Sequence, residues 1–359
     1  AFVPVVLNLS WLATLAVWFG LAGSRGESAT LGSALCCANV VSGLLQVAVV
    51  SGDCFRSRVW IRLPGRDDWG RARRIVAGAP AAVAAVGITQ VNVVVDAIFA
   101  WWAAPVGAVS ALYFGQRLYE FPIGVFALAV GAVIFPAMAS READGDRSGL
   151  GRTTADGLRL VAFLGMPAAV GLVLVARPLV TLFFRYGAFS DADAGRTAAV
   201  VVALAVGVLP GMLLPILQRA HLAVGATGRC VRFSVIAVVA NAVLDGPAAW
   251  LAGEAGLAAV TSAVAWLLAV LMWRGLPRSG VPVGGGLLVG PLARMAISSA
   301  VMAVAVFVST RFLPGDGSAG WMRVAAVAVP VGIGAAVYLG VTYLIGLRDG
   351  LRLLGRGPV

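Results

Sequence analysis

Long apolar runs, interrupted only by short polar stretches, recur along the whole chain. A helix needs about 20 apolar residues to cross a bilayer, and by that length the pattern predicts about ten membrane-spanning helices. They lie near residues 2–22, 32–51, 76–102, 108–139, 155–183, 195–218, 231–251, 256–273, 287–310 and 322–346. No soluble domain of useful size fits between the runs, so the sequence predicts an all-α polytopic membrane protein.

Several of these runs contain prolines, which deprive a helix of one backbone hydrogen bond each. Membrane helices tolerate them where neighbouring helices satisfy the freed carbonyl groups. The prolines concerned are Pro122, Pro136, Pro167 and Pro210. A further pair, Gly246-Pro247, directly follows an acidic residue and is expected to disturb its helix.

The connecting loops alternate in arginine content, as at 52–74 and 140–152, which are rich, and 103–107, which has none. Arginine-rich loops stay on the cytoplasmic side, so Ala1 is expected to enter from the cytoplasm and the C-terminus to end there. Only 12% of the 359 residues are charged, 60% are hydrophobic, and the net charge is +11 with all 27 basic residues arginine. These loops account for the positive charge, so nucleic acid is not an expected partner.

Three acidic residues lie well inside apolar segments: Asp96, Glu120 and Asp245. An ionisable group at that depth costs at least about 2.5–3.5 kcal/mol, so it faces a partner or a cavity and is a functional candidate. The competing interpretation is a structural polar contact between helices.

Two of these acids follow an asparagine by four residues, which places each pair on one helix face. The pairs are Asn92 with Asp96 and Asn241 with Asp245, and Thr261 lies in the next predicted span. Carboxylate, amide and hydroxyl oxygens are ligands of hard cations such as Na⁺. The spacing therefore favours a sodium site between three helices, with an ion-free hydrogen-bonded cluster as the alternative.

The segment "QRLYEFPIGVF" places Arg117 and Glu120 three residues apart, where they can form an ion pair. A paired arginine costs less near a membrane than an isolated one. The guanidinium also presents a planar fork of donors that fits phosphate, so Arg117 suits a diphosphate-bearing lipid. With no P-loop, zinc motif or nucleophile triad, the sequence indicates a transporter rather than an enzyme.

These residues and their surroundings resemble the MurJ/MviN family of lipid II flippases, in the multidrug/oligosaccharidyl-lipid/polysaccharide exporter superfamily. The resemblance is carried most specifically by "ALYFGQRLYEFPIGVFALAVGAVIFPAMAS" and by "GLRLVAFLGMPAAVGLVLVARPLVTLFFRYGAFS", with "AFVPVVLNLS", "QVNVVVDAIFA" and "NAVLDGPAAWLAGEAGLAAVTSAVAW" beside them. It implies a fourteen-helix transporter with two lobes around a central cavity, of which this chain would cover helices five to fourteen.

The resemblance also implies a division of the chain. Residues 1–51 would be the last helices of the N-terminal lobe, 52–74 an arginine-rich cytoplasmic linker, and 75–280 the C-terminal lobe. Residues 281–359 would form a two-helix hydrophobic groove region with a cytoplasmic tail. The chain would then lack the first helices and their cavity arginines, either as a piece of a longer protein or as a degenerate member of the family.

In function, the resemblance implies that lipid II, or a similar undecaprenyl-diphosphate-linked sugar, is moved across the bacterial cytoplasmic membrane by alternating access. An ion gradient or the membrane potential would drive it, with Na⁺ as coupling ion and no other cofactor. Arg117 matches a cavity arginine of the family and Glu120 its neighbouring acid, whereas Gln116 stands where the family often has Asp. Asp96, Asn241, Asp245 and Thr261 match residues of a proposed sodium site, with the carbonyl of Leu257 as fifth ligand.

Two alternatives remain open from the sequence. The protein is a related exporter of another lipid-linked oligosaccharide or a drug, or it is a non-transporting scaffold of the cell-wall synthesis machinery. The expected partners are accordingly the lipid-linked sugar, membrane lipids and, in the last case, cell-wall enzymes.

Overall fold

The computed structural model describes residues 9–17, 28–56, 92–102, 104–284, 286–312 and 320–346. Within these ranges every regular element is a helix, as the apolar runs predict. The helices are α1 (9–17), α2 (Ser28–Arg56), α3 (Asn92–Trp102), α4 (Ala108–Pro122), α5 (Leu128–Ala143), α6 (Arg147–Leu174), α7 (Ala176–Phe184), α8 (Asp191–Ala205), α9 (Val208–Ala223), α10 (Thr227–Gly275), α11 (Gly286–Arg311) and α12 (Gly320–Leu344).

The chain divides into two compact units, Ala1–Ala77 and Gly78–Val359. In the first, the indole nitrogen of Trp11 in α1 donates a hydrogen bond to the Oδ1 atom of Asn39 in α2, at 2.9 Å. The second unit contains α3 to α12. The division of the chain into lobes, linker and groove region, expected from the resemblance, stays a prediction.

Five helical stretches of the described residues are long and apolar enough to cross a membrane, and a sixth crossing is formed if α8 and α9 count as one bent span. The five are Ala108–Ala143, Arg147–Leu174, Thr227–Gly275, Val289–Arg311 and Gly320–Leu344. The predicted total of ten stays a prediction, because the predicted spans 2–22 and 76–102 lie largely outside the described residues.

Helix α10 holds two of the predicted spans, 231–251 and 256–273, and the chain turns back between them. Asn241 and Thr261 both donate to the carboxylate of Asp96, although a straight helix would hold residues 20 positions apart at about 30 Å. The reversal lies at Ala252 and Gly253, where Gly253 has φ 58° and ψ −139°, a conformation open essentially to glycine alone.

The reversal therefore lies in the gap between the two predicted spans, whereas the disturbance expected at Gly246-Pro247 was wrong. Both residues keep helical backbone, and the helix ends five residues later. An interior proline removes one hydrogen bond of the helical ladder, but a change of direction needs backbone that has left the helical region.

Helix α6 is the centre of the packing in the second unit and contacts α5, α8, α9 and α11. Its buried face includes Leu158, Val161 and Phe163. At its start, the backbone N–H of Gly149 donates to the Asp146 carboxylate at 2.8 Å. This hydrogen bond, with one from the Ser148 hydroxyl, lowers the pKa of Asp146 below its ordinary value.

Pro167 shows how a proline inside a membrane helix is accommodated. Its missing N–H leaves the carbonyl of Phe163, four residues earlier, without its helical donor. The hydroxyl of Tyr338 in α12 donates to that carbonyl at 2.8 Å, and the two rings lie 5.4 Å apart. The expectation that a neighbouring helix satisfies the freed group is thus confirmed here, and the bond ties α12 to α6.

Pro210 has the same effect at the junction of α8 and α9, which meet at an angle of 41°. It frees the carbonyl of Val206, and the indole nitrogen of Trp266 donates to that oxygen at 3.0 Å. On the same side, the hydroxyl of Ser262 donates to the carbonyl of Ala203 at 2.7 Å. Two side chains of α10 therefore satisfy the exposed backbone of this broken span.

Candidate functional site

Four of the predicted ligand side chains meet in one buried cluster between α3 and the two arms of α10. The amide of Asn241 donates to Asp96 Oδ1 at 2.8 Å and to Asp245 Oδ2 at 2.5 Å. The hydroxyl of Thr261 lies 3.3 Å from Asp96 Oδ2 and 3.0 Å from the carbonyl oxygen of Leu257. We call Asp96, Asn241, Asp245, Leu257 and Thr261 the carboxylate cluster.

The carboxylate cluster is largely buried, with Asp96 and Thr261 partly exposed, and it contains unsatisfied acceptors. Asn241, Asp245 and Leu257 are fully buried. Three side-chain oxygens lack a hydrogen-bond partner among the described residues. Asn241 Oδ1 and Asp245 Oδ1 belong to the cluster, and Asn92 Oδ1 lies one helical turn before Asp96. Such orphaned acceptors are costly in an apolar interior unless a donor or a cation meets them.

The chemistry of the donor set fits a hard monovalent cation. The atoms that could coordinate a cation here are oxygens, from two carboxylates, an amide, a hydroxyl and a backbone carbonyl. Asp96 and Asp245 share one amide group, and two carboxylates so close repel each other unless one is protonated or a cation lies between them. A cation would remove that repulsion and occupy the orphaned oxygens.

The second candidate group lies on one face of α4. Arg117 Nη1 contacts Glu120 Oε2 at 2.9 Å, and the amide of Gln116 donates to Glu120 Oε1 at 3.3 Å. The guanidinium also lies 5.0 Å from the centre of the Tyr113 ring. The structure therefore brings Arg117, Glu120 and Gln116 together, and we call these three residues the arginine patch.

The arginine patch is accessible, in contrast to the carboxylate cluster. The side chains of Arg117 and Glu120 are 56% and 47% exposed. Since both belong to the same helix, their ion pair does not itself join two helices. The guanidinium keeps donors that a ligand can reach.

Sequence reasoning missed one contact, a buried ion pair at the reversal of α10. Arg196 Nε in α8 donates to Glu254 Oε1 at 2.6 Å, and the Glu254 side chain is only 9% exposed. The signal available in the sequence was Glu254 itself, a single acidic residue between Gly253 and Gly256 in an otherwise uncharged turn. The local sequence does not indicate the partner of Glu254, because Arg196 lies 58 residues earlier in the chain.

The fold and the two groups define a polytopic helical membrane protein with a largely buried carboxylate cluster and an accessible arginine. A model of the family described as "Lipid II flippase MurJ" matches residues 1–327. The chain therefore belongs to the MurJ family.

Individual relatives agree with this assignment. A protein of Vibrio cholerae named "Probable lipid II flippase MurJ" is 34% identical over 269 residues, covering 73% of this chain and 50% of the relative. One of Rhizobium tropici with the same name is 29% identical over 354 residues, covering 97% of this chain and 65% of the relative. The chain thus spans about half to two thirds of the length of these relatives.

A solved structure described as "Lipid II flippase MurJ, inward closed conformation" has the same fold. It superposes with a TM-score of 0.75 at 18% identity, over 97% of this chain and 67% of the other. At that identity the likeness concerns the fold alone.

Proposed function

We propose that the protein to which this chain belongs moves lipid II across the bacterial cytoplasmic membrane by alternating access, as the names of its relatives suggest. The observation that carries the proposal is the family match over residues 1–327. A transport role also agrees with the helical membrane architecture. It agrees as well with the presence of both the acidic carboxylate cluster and the basic arginine patch in one unit. In this proposal the arginine-rich loops and the C-terminus face the cytoplasm.

The arginine patch is the proposed contact for the diphosphate of the lipid. Arg117 is exposed enough to meet a ligand, and its forked donors match phosphate oxygens. Glu120 holds the guanidinium in place until a phosphate competes for it, and Gln116 donates a hydrogen bond to Glu120.

The carboxylate cluster is the proposed sodium site and the place where an ion gradient acts. Its ligands come from three chain segments, so binding of a cation favours the arrangement in which α3 and both arms of α10 are close. Asp96, Asn241, Asp245 and Thr261 would supply side-chain oxygens and Leu257 its carbonyl.

The test is transport of fluorescent lipid II into proteoliposomes containing the full-length protein, with sodium or choline as the external cation. We expect transport that rises with sodium. Asp245→Asn removes one carboxylate and should raise the half-saturating sodium concentration about tenfold or more. Transport that ignores sodium in the parent would refute the cation site.

The same vesicles separate the alternative functions. If another lipid-linked oligosaccharide or a drug is moved and lipid II is not, the protein is a related exporter. If nothing is moved while the protein still binds cell-wall enzymes, it is a scaffold.

A further inference from the structure

One arginine of α8 joins two separate connections at the end of the unit where α10 reverses. Arg196 Nε donates to Glu254 in the reversal, and its Nη1 donates to the carbonyl of Val106, between α3 and α4, at 2.7 Å. Arg196 itself lies in α8. We call Arg196, Glu254 and the Val106 carbonyl the Arg196 clamp.

The backbone around the clamp is shaped to let these groups approach. Gly107 has φ 90°, and a Cβ there would lie 3.2 Å from Arg196 Nη1. A Cβ on Gly253 would lie 3.4 Å from Pro105 Cδ, so the α3–α4 connection and the α10 reversal lie close together. Both glycines have positive φ, which other residues adopt only with strain, and a side chain at Gly107 would also crowd the guanidinium.

The clamp depends on a guanidinium rather than on positive charge alone. Two different nitrogens are used, one on a nearly buried carboxylate and one on a backbone carbonyl. The compact ammonium of lysine does not reproduce this forked geometry. Removing the arginine would leave the Glu254 carboxylate buried without its counter-charge.

Each of the three segments that carry the carboxylate cluster leads along the chain to Val106 or Glu254 of the Arg196 clamp. Asp96 lies 10 residues before Val106, Asp245 lies 9 before Glu254, and Thr261 lies 7 after Glu254. At the helical rise of about 1.5 Å per residue these are separations of about 10 to 15 Å.

A small core fills the space along these segments. It consists of Ala100 from α3, Ala108 from α4, and Ala249 and Leu257 from the two arms of α10. Leu257 is fully buried and also supplies its carbonyl to the carboxylate cluster. Small side chains keep the segments close, so a displacement at the clamp is passed on to the cluster rather than absorbed.

We propose that Arg196 is a positioning residue for the cation site, setting the spacing of α3 and the two arms of α10 on which the ligands lie. This role rests on the proposed sodium site but concerns a residue outside it. Without the clamp the ligand oxygens lose their common geometry, and cation affinity falls although every ligand is still present.

The experiment compares purified parent, Arg196→Gln, Arg196→Lys, Asp245→Asn and a control, Arg185→Gln, which breaks an ion pair with Asp191 in the α7–α8 connection. The first readout is the rise in melting temperature as choline chloride is replaced by sodium chloride. The second is the rate at which dicyclohexylcarbodiimide labels Asp245 without sodium, followed by mass spectrometry.

For Arg196→Gln we expect a half-saturating sodium concentration about tenfold higher and faster labelling of Asp245, because the packing around that carboxyl opens. Arg196→Lys should fall between Arg196→Gln and the parent, and Arg185→Gln should match the parent in both readouts. A lower melting temperature with unchanged half-saturation and unchanged labelling would overturn the proposal, since Arg196 would then only stabilise the fold.

The two readouts keep this inference separate from the cation site. If neither the parent nor Asp245→Asn responds to sodium, the proposed cation site fails, and the labelling rate alone decides the role of Arg196. Faster labelling in Arg196→Gln supports positioning of the carboxylates, and an unchanged rate refutes it.

Discussion

At the scale of single residues, the two candidate groups differ in what surrounds their charges. Asp245 and Asn241 are fully buried, and the Asn241 amide donates to both Asp245 and Asp96, whereas Arg117 keeps more than half of its side chain exposed. A buried charge is held by its neighbours and changes the fold when it is altered, but an exposed one is free to act on a ligand. Substitutions at the two groups are therefore expected to have different consequences.

Substitution of Arg117 tests the arginine patch. Arg117→Ala should abolish complementation by the full-length protein in cells depleted of their own flippase, because it removes the donors for phosphate. Arg117→Lys keeps the charge but loses the fork and should also lower activity strongly. Glu120→Gln should be milder, since an amide oxygen still accepts a hydrogen bond from the guanidinium.

Membrane abundance of each Arg117 and Glu120 variant serves as the control. A purely structural pair would lower the amount of folded protein equally in Arg117→Ala and Glu120→Ala. Normal growth with Arg117→Ala at normal abundance would remove Arg117 from the substrate site.

At the scale of helices, prolines make contacts between elements in this protein. Pro167 and Pro210 each free one carbonyl, and an aromatic donor from another helix takes it in both cases: Tyr338 for Phe163, and Trp266 for Val206. Each of these hydrogen bonds joins two helices, and it forms because a proline has removed a backbone hydrogen bond within one of them.

A double-mutant cycle measures that relation. Tyr338→Phe should lower the free energy of unfolding in detergent by about 1 kcal/mol, the scale of interhelical hydrogen bonds in membranes. In a Pro167→Ala background the same change should cost less, because residue 167 then donates its own N–H to the Phe163 carbonyl. Equal costs in both backgrounds would mean that Tyr338 acts through ring packing alone.

The sequence was sufficient for the parts of the fold that depend on local composition. Apolar run length predicted helical spans where α4 to α12 lie, though not the breaks between α6 and α7 or between α8 and α9. Spacing of four predicted that Asn241 and Asp245 share a helix face. The reversal of α10 also follows from run length, since it lies in the gap between the predicted spans 231–251 and 256–273, whereas the disturbance expected at Gly246-Pro247 did not occur. The ion pair of Arg196 and Glu254 was beyond reach, since no local pattern relates residues that meet only through tertiary packing.

At the scale of the whole molecule, the arginine distribution predicts which side of the membrane each loop occupies. In a variant without native cysteines, a cysteine at position 191 should react with a membrane-impermeant maleimide added outside intact cells. A cysteine at position 66 should react only after the cells are opened. The reverse pattern would invert the orientation of the chain.

The π-helical turn Ile123–Ala127, between α4 and α5, also has a consequence for the history of this span. Such a turn carries one residue more than an α-helical turn, so each side chain after it is rotated by about 100° around the axis. An insertion or deletion of one codon in this turn would change the phase of α5 relative to the arginine patch while leaving both helices intact. The turn is therefore a position where evolution can change which side chains of one transmembrane span face the same way, without replacing any of them.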